Sequence, residues 1–229
     1  DVIKLEPPEG DLTRSIGPRR SPLMGSFFLS SNRSKRSIVV DLKKAEGQAI
    51  LRSLLKDTDV LLHSLRTPAA NKLGLDYETL KQINPSIVYC HVTGYSDEGA
   101  YAGRPAYDDI GQAASGLAQL QTAVAGQPRF MPSIFADKIG ALHASIGMLA
   151  AIAHRTATGQ GQQVEVPMFE SLVAFNMAEH QWGFCFDPPM GPMGYQPVST
   201  AARRPYKTKD GYLALLPYSD ANWRSLFEL

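Results

Sequence analysis

Residues 36–92 read RSIVVDLKKAEGQAILRSLLKDTDVLLHSLRTPAANKLGLDYETLKQINPSIVYCHV. The run 36–41 is rich in β-branched residues and predicts a strand. Residues 45–55 place apolar side chains at helical spacing and predict an amphipathic helix. A short strand over 60–63 follows Asp57-Thr58-Asp59. Two short helical pieces come next, over 71–75 and 77–83. Asn84-Pro85 stops the second, because the residue before a proline is pushed out of the helical region. Residues 87–92 then predict another strand. Strands alternating with helices at this spacing give βαβ units, so the fold class is α/β with an open, mainly parallel sheet.

Outward from this stretch the pattern continues. Residues 2–5 predict a strand that leaves the sheet at Pro7-Pro8, since proline has no amide donor. Residues 12–34 are rich in Pro, Gly, Ser and Arg and read as a long loop whose apolar patch, 24–29, packs against something. Residues 94–99, GYSDEG, form a loop at a strand's carboxyl end, where open α/β sheets bind ligands. Helices are expected over 111–120, from 138 to about 155, and over 168–179, with a strand over 163–167. Residues 187–204 are loop-like, and Lys209-Asp210-Gly211 is a hairpin turn feeding an alternating strand. This predicts a large domain over 1–196 and the start of a smaller one over 197–229. The chain opens in a strand pattern with no methionine and ends at Phe227-Glu228-Leu229 in a helical one, the expectation being an internal fragment of a longer protein.

Hydrophobic residues make up 44% of the 229 and charged residues 20%, a globular balance. A net charge of +1 argues against nucleic acid as a partner. Cys90 and Cys185 form no CxxC, so neither a disulfide framework nor a zinc site is expected, and a reducing cytoplasm fits. The best candidate for a membrane span, 139–153, is short and interrupted by His143, so no membrane is expected.

Asp137 stands just before KIGALHASIGMLAAIA, a run so apolar that it predicts a core helix. A carboxylate at such a helix start has two readings. It can be an N-cap accepting from the first-turn amides. It can also be a sheltered nucleophile, since a buried aspartate needs a reason. Other motifs fall away. There is no GxGxxG or GxxxxGK[ST] and no G-x-S-x-G elbow. The five histidines, His63, His91, His143, His154 and His180, show no metal spacing. His143 reads as a core histidine with a backbone partner, and His154 as a favourable helix-end charge. Arg14, Arg19, Arg20, Arg33, Lys35, Arg36, Lys43 and Lys44 read mostly as a solvated rim. Asp108-Asp109 reads either as a pair of caps or as catalytic acids.

Five segments in order resemble family III CoA-transferases, the group of formyl-CoA and carnitine CoA-transferases and α-methylacyl-CoA racemases. They are DVIKLEPPEGDLTR (1–14), SNRSKRSIVVDLK (31–43), the long block DVLLHSLRTPAANKLGLDYETLKQINPSIVYCHVTGYSDEGAYAGRPAYDDIGQAASGL (59–117), ADKIGALHASIGMLAAIAHRTATGQGQQVEVPMFESL (136–172) and YKTKDGYLAL (206–215). The resemblance implies a Rossmann-like large domain, here without its first strand and helix, a small domain, and an interlocked homodimer when full length. It places the catalytic aspartate on Asp137. It places coenzyme A contacts on Val40, Asp41, Leu42 and Lys43, on Ser64, Leu65 and Arg66, on Lys72, and on Arg104, Pro105, Ala106 and Tyr107. Ser64-Leu65 replaces the family's Asn–aromatic pair. Gly191-Pro192-Met193-Gly194 only loosely echoes a glycine-rich loop of some transferases.

What the resemblance implies chemically is transfer of coenzyme A from an acyl-CoA to a small carboxylic acid through an aspartyl-CoA thioester, with no permanently bound cofactor and no metal. The first-turn amides of Ile139 and Gly140 are expected to hold the developing oxyanion. Two alternatives stand beside it. One is an acyl-CoA racemase or epimerase using Asp137 and Asp108; the racemase branch has a histidine where this chain has Asp108, and aspartate is a much weaker base near neutral pH. The other is a non-catalytic CoA-binding subunit.

Overall fold

The computed structural model describes residues 1–229, in two compact units. The first comprises residues 1–91 and 147–164, the second 92–146 and 165–229.

In the first unit β1 (Ile3–Glu6) pairs in parallel with β2 (Arg36–Val39), in the register Ile3↔Arg36 to Glu6↔Val39. The segment between them is not all loop. Phe28, buried on the short helix α1 (Ser26–Ser31), lies under the Arg14 guanidinium, 3.8 Å from the ring centroid. Glu6 stays in the strand despite the prolines after it. Its carboxylate is 1% exposed and is held by a forked pair from Arg14 (2.7 and 2.8 Å) and by Ser37 Oγ (2.9 Å). Burying an acid is tolerable only when each oxygen finds such partners.

Next come α2 (Ala45–Leu55), β3 (Val60–His63), α3 (Thr67–Lys72), α4 (Tyr77–Ile83) and β4 (Val88–Thr93). β3 and β4 pair in parallel from Val60↔Val88 to His63↔His91, and the sheet order is β3-β4-β5. α2 turns Gly47, Leu51 and Leu55 inward, one helical face at spacings of four. Leu51 and Leu55 pack with Ala70, Leu75, Leu80, Ile87 and Tyr89. Each fully buried leucine contributes on the order of 2 kcal/mol. Asn84 shows why α4 stops. Its amide donates to the carbonyls of Leu55 and Thr58, both at 3.0 Å, and its oxygen accepts from Ser86 N. The first short helix lies over Thr67–Lys72, not 71–75, because Pro68 takes an early helical position where its missing N–H costs nothing.

The second unit holds α5 (Asp108–Ala114), α6 (Leu117–Leu120) and α7 (Thr122–Ala125). The single helix expected over 111–120 is broken at Gly116, whose φ of +83° no helix accepts. α8 (Phe135–Thr158) starts earlier and ends later than expected. β5 (Gln162–Pro167) runs straight into α9 (Met168–His180). Ala136, Ile139 and Leu172 form a small core with Phe135 packed on it. The expected hairpin is present as β6 (Tyr206–Lys207) and β7 (Tyr212–Leu213), closed by Thr208 N on Gly211 O at 2.9 Å. α10 (Asp220–Phe227) begins with a Ser219–Asn222 capping box.

α8 corrects two expectations. It is not a core helix all round: Ala136, Ile139, Ala144 and Ala151 are buried, but Leu142, Ile146 and Leu149 are more than half exposed. Its small residues face protein, as at Gly140, where an added Cβ would meet Met168 at 2.9 Å. At 24 residues it is also long and apolar enough, by length and composition, to cross a bilayer.

Candidate active site around Asp137

A helix beginning at Phe135 makes Asp137 its third residue, so Asp137 is not the N-cap. The capping acid is another one. Asp108, in the first turn of α5, accepts the Asp137 backbone N–H on Oδ1 at 3.2 Å. Its Oδ2 accepts Gln112 Nε2 at 2.5 Å. Gln112, one turn along α5, is wholly buried. Its Nε2 also reaches Ser133 O (3.2 Å), and its Oε1 accepts Met131 N (2.8 Å). One side chain thus ties α5 to the segment that launches α8. Close approach of the two helices is possible because Gly111 faces Ala136, where even a Cβ would stand at 3.0 Å.

The electrostatic consequence falls on Asp137. Burial, and after it the Asp108 carboxylate, push its proton affinity above the ordinary aspartate value. Asp137 nonetheless stays exposed by surface area, while Ala136, Ile139 and Gly140 around it are buried. The full shelter expected of it is therefore not provided by this chain. The amides of Ile139 and Gly140 are not free for an oxyanion either. In a helix starting at Phe135 they bond the carbonyls of Phe135 and Ala136. The first-turn amides without a helical partner are those of Phe135, Ala136 and Asp137, the last of them taken by Asp108.

The remaining expected site residues fall into two groups. In the second unit, Arg104, Pro105, Ala106 and Tyr107 lead directly into Asp108. Tyr107 is the N-cap residue of α5 and is 73% exposed. Ala106 packs on Gly94, where a side chain would collide with it. The Arg104 guanidinium lies 4.8 Å from the Tyr101 ring centroid. In the first unit, Leu42, Lys43 and Lys72 line one open cleft of about 900 Å³. Val40 is buried, its N–H bonded to Glu6 O, so it can offer a ligand only its carbonyl. Asp41 accepts Lys43 N and shapes the turn into α2. Ser64, Leu65 and Arg66 form the exposed β3–α3 connection.

Sequence reasoning missed some of this. Lys44 and Arg52 line the same cleft as Lys43 and Lys72, which makes the cleft strongly cationic. Their signal was the four-residue spacing Lys44, Gln48, Arg52 on one face of α2. Gln112 gave no signal of its own, because its partners lie in other segments. No cluster of three or more His, Cys, Asp or Glu is arranged to hold a metal ion.

With that geometry in hand, the comparisons are specific. The profile of CoA-transferase family III matches residues 1–229. A succinate–glutarate CoA-transferase of Agrobacterium fabrum is 33% identical, over 99% of this chain and 58% of its own length. A succinyl-CoA:mesaconate CoA-transferase of Haloarcula hispanica is 30% identical, over 100% of this chain and 60% of its own. The crystal structure of a CAIB/BAIF family protein from Brucella suis superposes with a TM-score of 0.84 at 31% identity, over 100% of this chain and 61% of that one. The chain therefore spans about three fifths of the length of these relatives.

Proposed function

The chain belongs to CoA-transferase family III, and on that premise we propose that the protein carrying it moves coenzyme A from an acyl-CoA to a carboxylic acid, with Asp137 as nucleophile. The Asp137 carboxylate adds to the thioester carbonyl and expels the CoA thiolate, leaving a mixed anhydride. The thiolate attacks the aspartyl carbonyl and releases the donor acid, leaving an aspartyl-CoA thioester. The acceptor carboxylate attacks that thioester and frees the thiolate again. The thiolate then attacks the acceptor's acyl carbon, which restores Asp137.

One observation carries the reading: Asp137 sits in the first turn of a long helix beside a second carboxylate that raises its basicity. A more basic carboxylate is a better nucleophile, and the Phe135 amide offers a donor for the oxyanion at the same helix start. Tyr107 and Arg104 border this region, and Lys43, Lys44, Arg52 and Lys72 offer charge to the coenzyme's phosphates. Exclusion of water, which protects the thioester, falls to the rest of the protein and to a second copy in a homodimer. The names of the relatives support short dicarboxylic acids as the first donors and acceptors to try. The domain boundary near Pro197 and a cytoplasmic location belong to the same proposal; the unpaired thiols Cys90 and Cys185 support the latter.

The experiment uses the complete protein with succinyl-CoA and a panel of dicarboxylic acids, with exchange read by mass. Asp137→Ala abolishes transfer at unchanged melting temperature, and hydroxylamine or borohydride during turnover marks Asp137. Normal transfer by that variant, or a label elsewhere, removes Asp137 from the role. Deuterium incorporation at the substrate α-carbon would instead favour a racemase built on Asp137 and Asp108.

A further inference from the structure

Two histidines that the transfer chemistry does not use lie under the β3–α3 connection. His63 ends β3, and its parallel-strand partner is His91 on β4. Their ring centroids lie 4.4 Å apart, with the planes tilted by 31°. His63 Nδ1 accepts the backbone N–H of Leu65 at 3.1 Å. That fixes the tautomer: the ring proton sits on Nε2 and points at Tyr89 Oη, 2.7 Å away. His91 Nε2 lies 2.7 Å from the carbonyl of Leu65, an acceptor only, so this nitrogen donates. Both backbone polar groups of one loop residue are therefore held by two adjacent imidazoles. His91 is 3% exposed. The Arg66 carbonyl, one residue on, accepts Ala69 and Ala70 N–H as α3 begins. With the backbone held on both sides, Ser64, Leu65 and Arg66 all present exposed side chains at the carboxyl end of β3.

We propose that His63 and His91 are positioning residues that pin the backbone of Leu65 and so hold the loop of Ser64, Leu65 and Arg66 in the shape that receives coenzyme A. The proposal rests on the reading above that this loop meets the coenzyme. Its physical basis is preorganisation: a short loop already fixed in its bound shape loses less entropy on binding. The clamp needs a neutral His63, because a proton on its Nδ1 removes the acceptor for Leu65 N–H. Burial, and then the neighbouring His91, keep His63 neutral by lowering its pKa to about 4.

The test uses the complete protein with free coenzyme A as the probe. His63→Phe and His91→Phe keep a ring but lose the hydrogen bonds. Each should weaken coenzyme A binding by calorimetry about tenfold, the effect of one lost hydrogen bond. KM for acyl-CoA should rise in parallel, while kcat at saturation changes less than twofold. His91→Asn, which keeps a donor, should recover most of the affinity. Arg66→Ala tests the premise separately. If Arg66→Ala weakens binding and the histidine variants do not, the clamp is overturned and the loop reading stands. If none of them weakens binding, the loop reading fails and the clamp falls with it. Should a phenylalanine variant not fold, imidazole ¹⁵N shifts of the unaltered protein decide: His63 protonated on Nε2 at neutral pH supports the clamp, and protonation on Nδ1 overturns it.

Discussion

Asp108 and Asp137 are 29 positions apart in sequence, and each changes the other's meaning. Read along the chain, an aspartate before an apolar helix is a cap. In the fold the capping acceptor arrives from α5, and Asp137 is left with an exposed side chain and a raised pKa. No local pattern could reveal this, because the cap is a tertiary contact and its holder, Gln112, is buried among groups from two segments. Two expectations follow. If Asp137 is the nucleophile, as proposed, it acts as a carboxylate, and the rate of transfer falls as pH drops through its pKa. Asp108→Asn removes the neighbouring charge, and the acid limb of kcat/KM should move to lower pH, as a pH–rate profile would read. An unmoved limb means that Asp108 does not tune Asp137. The ionised form of Asp137 is also disfavoured by folding, since a raised carboxylate pKa means the folded state prefers the proton. Asp137→Asn should therefore melt no lower than the parent at neutral pH.

At the scale of elements, legibility tracked how local the cause was. α2 and α4 have the bounds their patterns predicted, because amphipathic spacing and the Asn84-Pro85 stop lie within the segments themselves. α5 and α6 were read as one helix because only the backbone reveals the left-handed turn at Gly116. Gly47 sets two local effects against each other. It sits inside α2, where alanine would gain about 1 kcal/mol in helix propensity. An added Cβ there would collide with the backbone carbonyl of Asp41, in the turn leading to Lys43. Overpacking against backbone costs about 1–3 kcal/mol. Sterics should win, so Gly47→Ala lowers the urea midpoint and, if the 41–43 turn meets coenzyme A as proposed, also weakens its binding. A stabilised variant with normal binding would mean the turn yields without consequence.

At the scale of the whole molecule, acid stability and unburied apolar surface both become measurable. Glu6 is held below its ordinary pKa chiefly by its hydrogen bond to Arg14, against the cost of burial. Burial pushes the Asp11 carboxyl up, but the Lys4 and Thr13 hydrogen bonds together outweigh it and bring its pKa down to about 2. Both shifts are downward, so their stabilisation is complete above pH ~4, the unfolded value, and drains away as pH falls toward the folded ones. Glu6→Gln leaves the Arg14 guanidinium without its carboxylate partner and should lower stability at pH 7. Measured by urea titration, its gap from the parent should narrow steadily below pH ~4; a constant gap would mean the carboxylate's charge is irrelevant.

Unburied apolar surface has a different remedy, because Leu142, Ile146 and Leu149 make an exposed stripe along α8 that begins between the first and second turn beyond Asp137 and runs past the third. Large aliphatics at helical spacing, unlike scattered ones, mark a face built for cover. If a second copy covers it, as the homodimer proposal holds, Ile146→Ser with Leu149→Ser should leave the fold of the isolated chain intact by circular dichroism. The complete protein carrying the pair should then sediment as a monomer and lose transfer activity, even though neither residue touches substrate. An unaltered sedimentation coefficient would assign the cover of that stripe to the protein's own remaining residues.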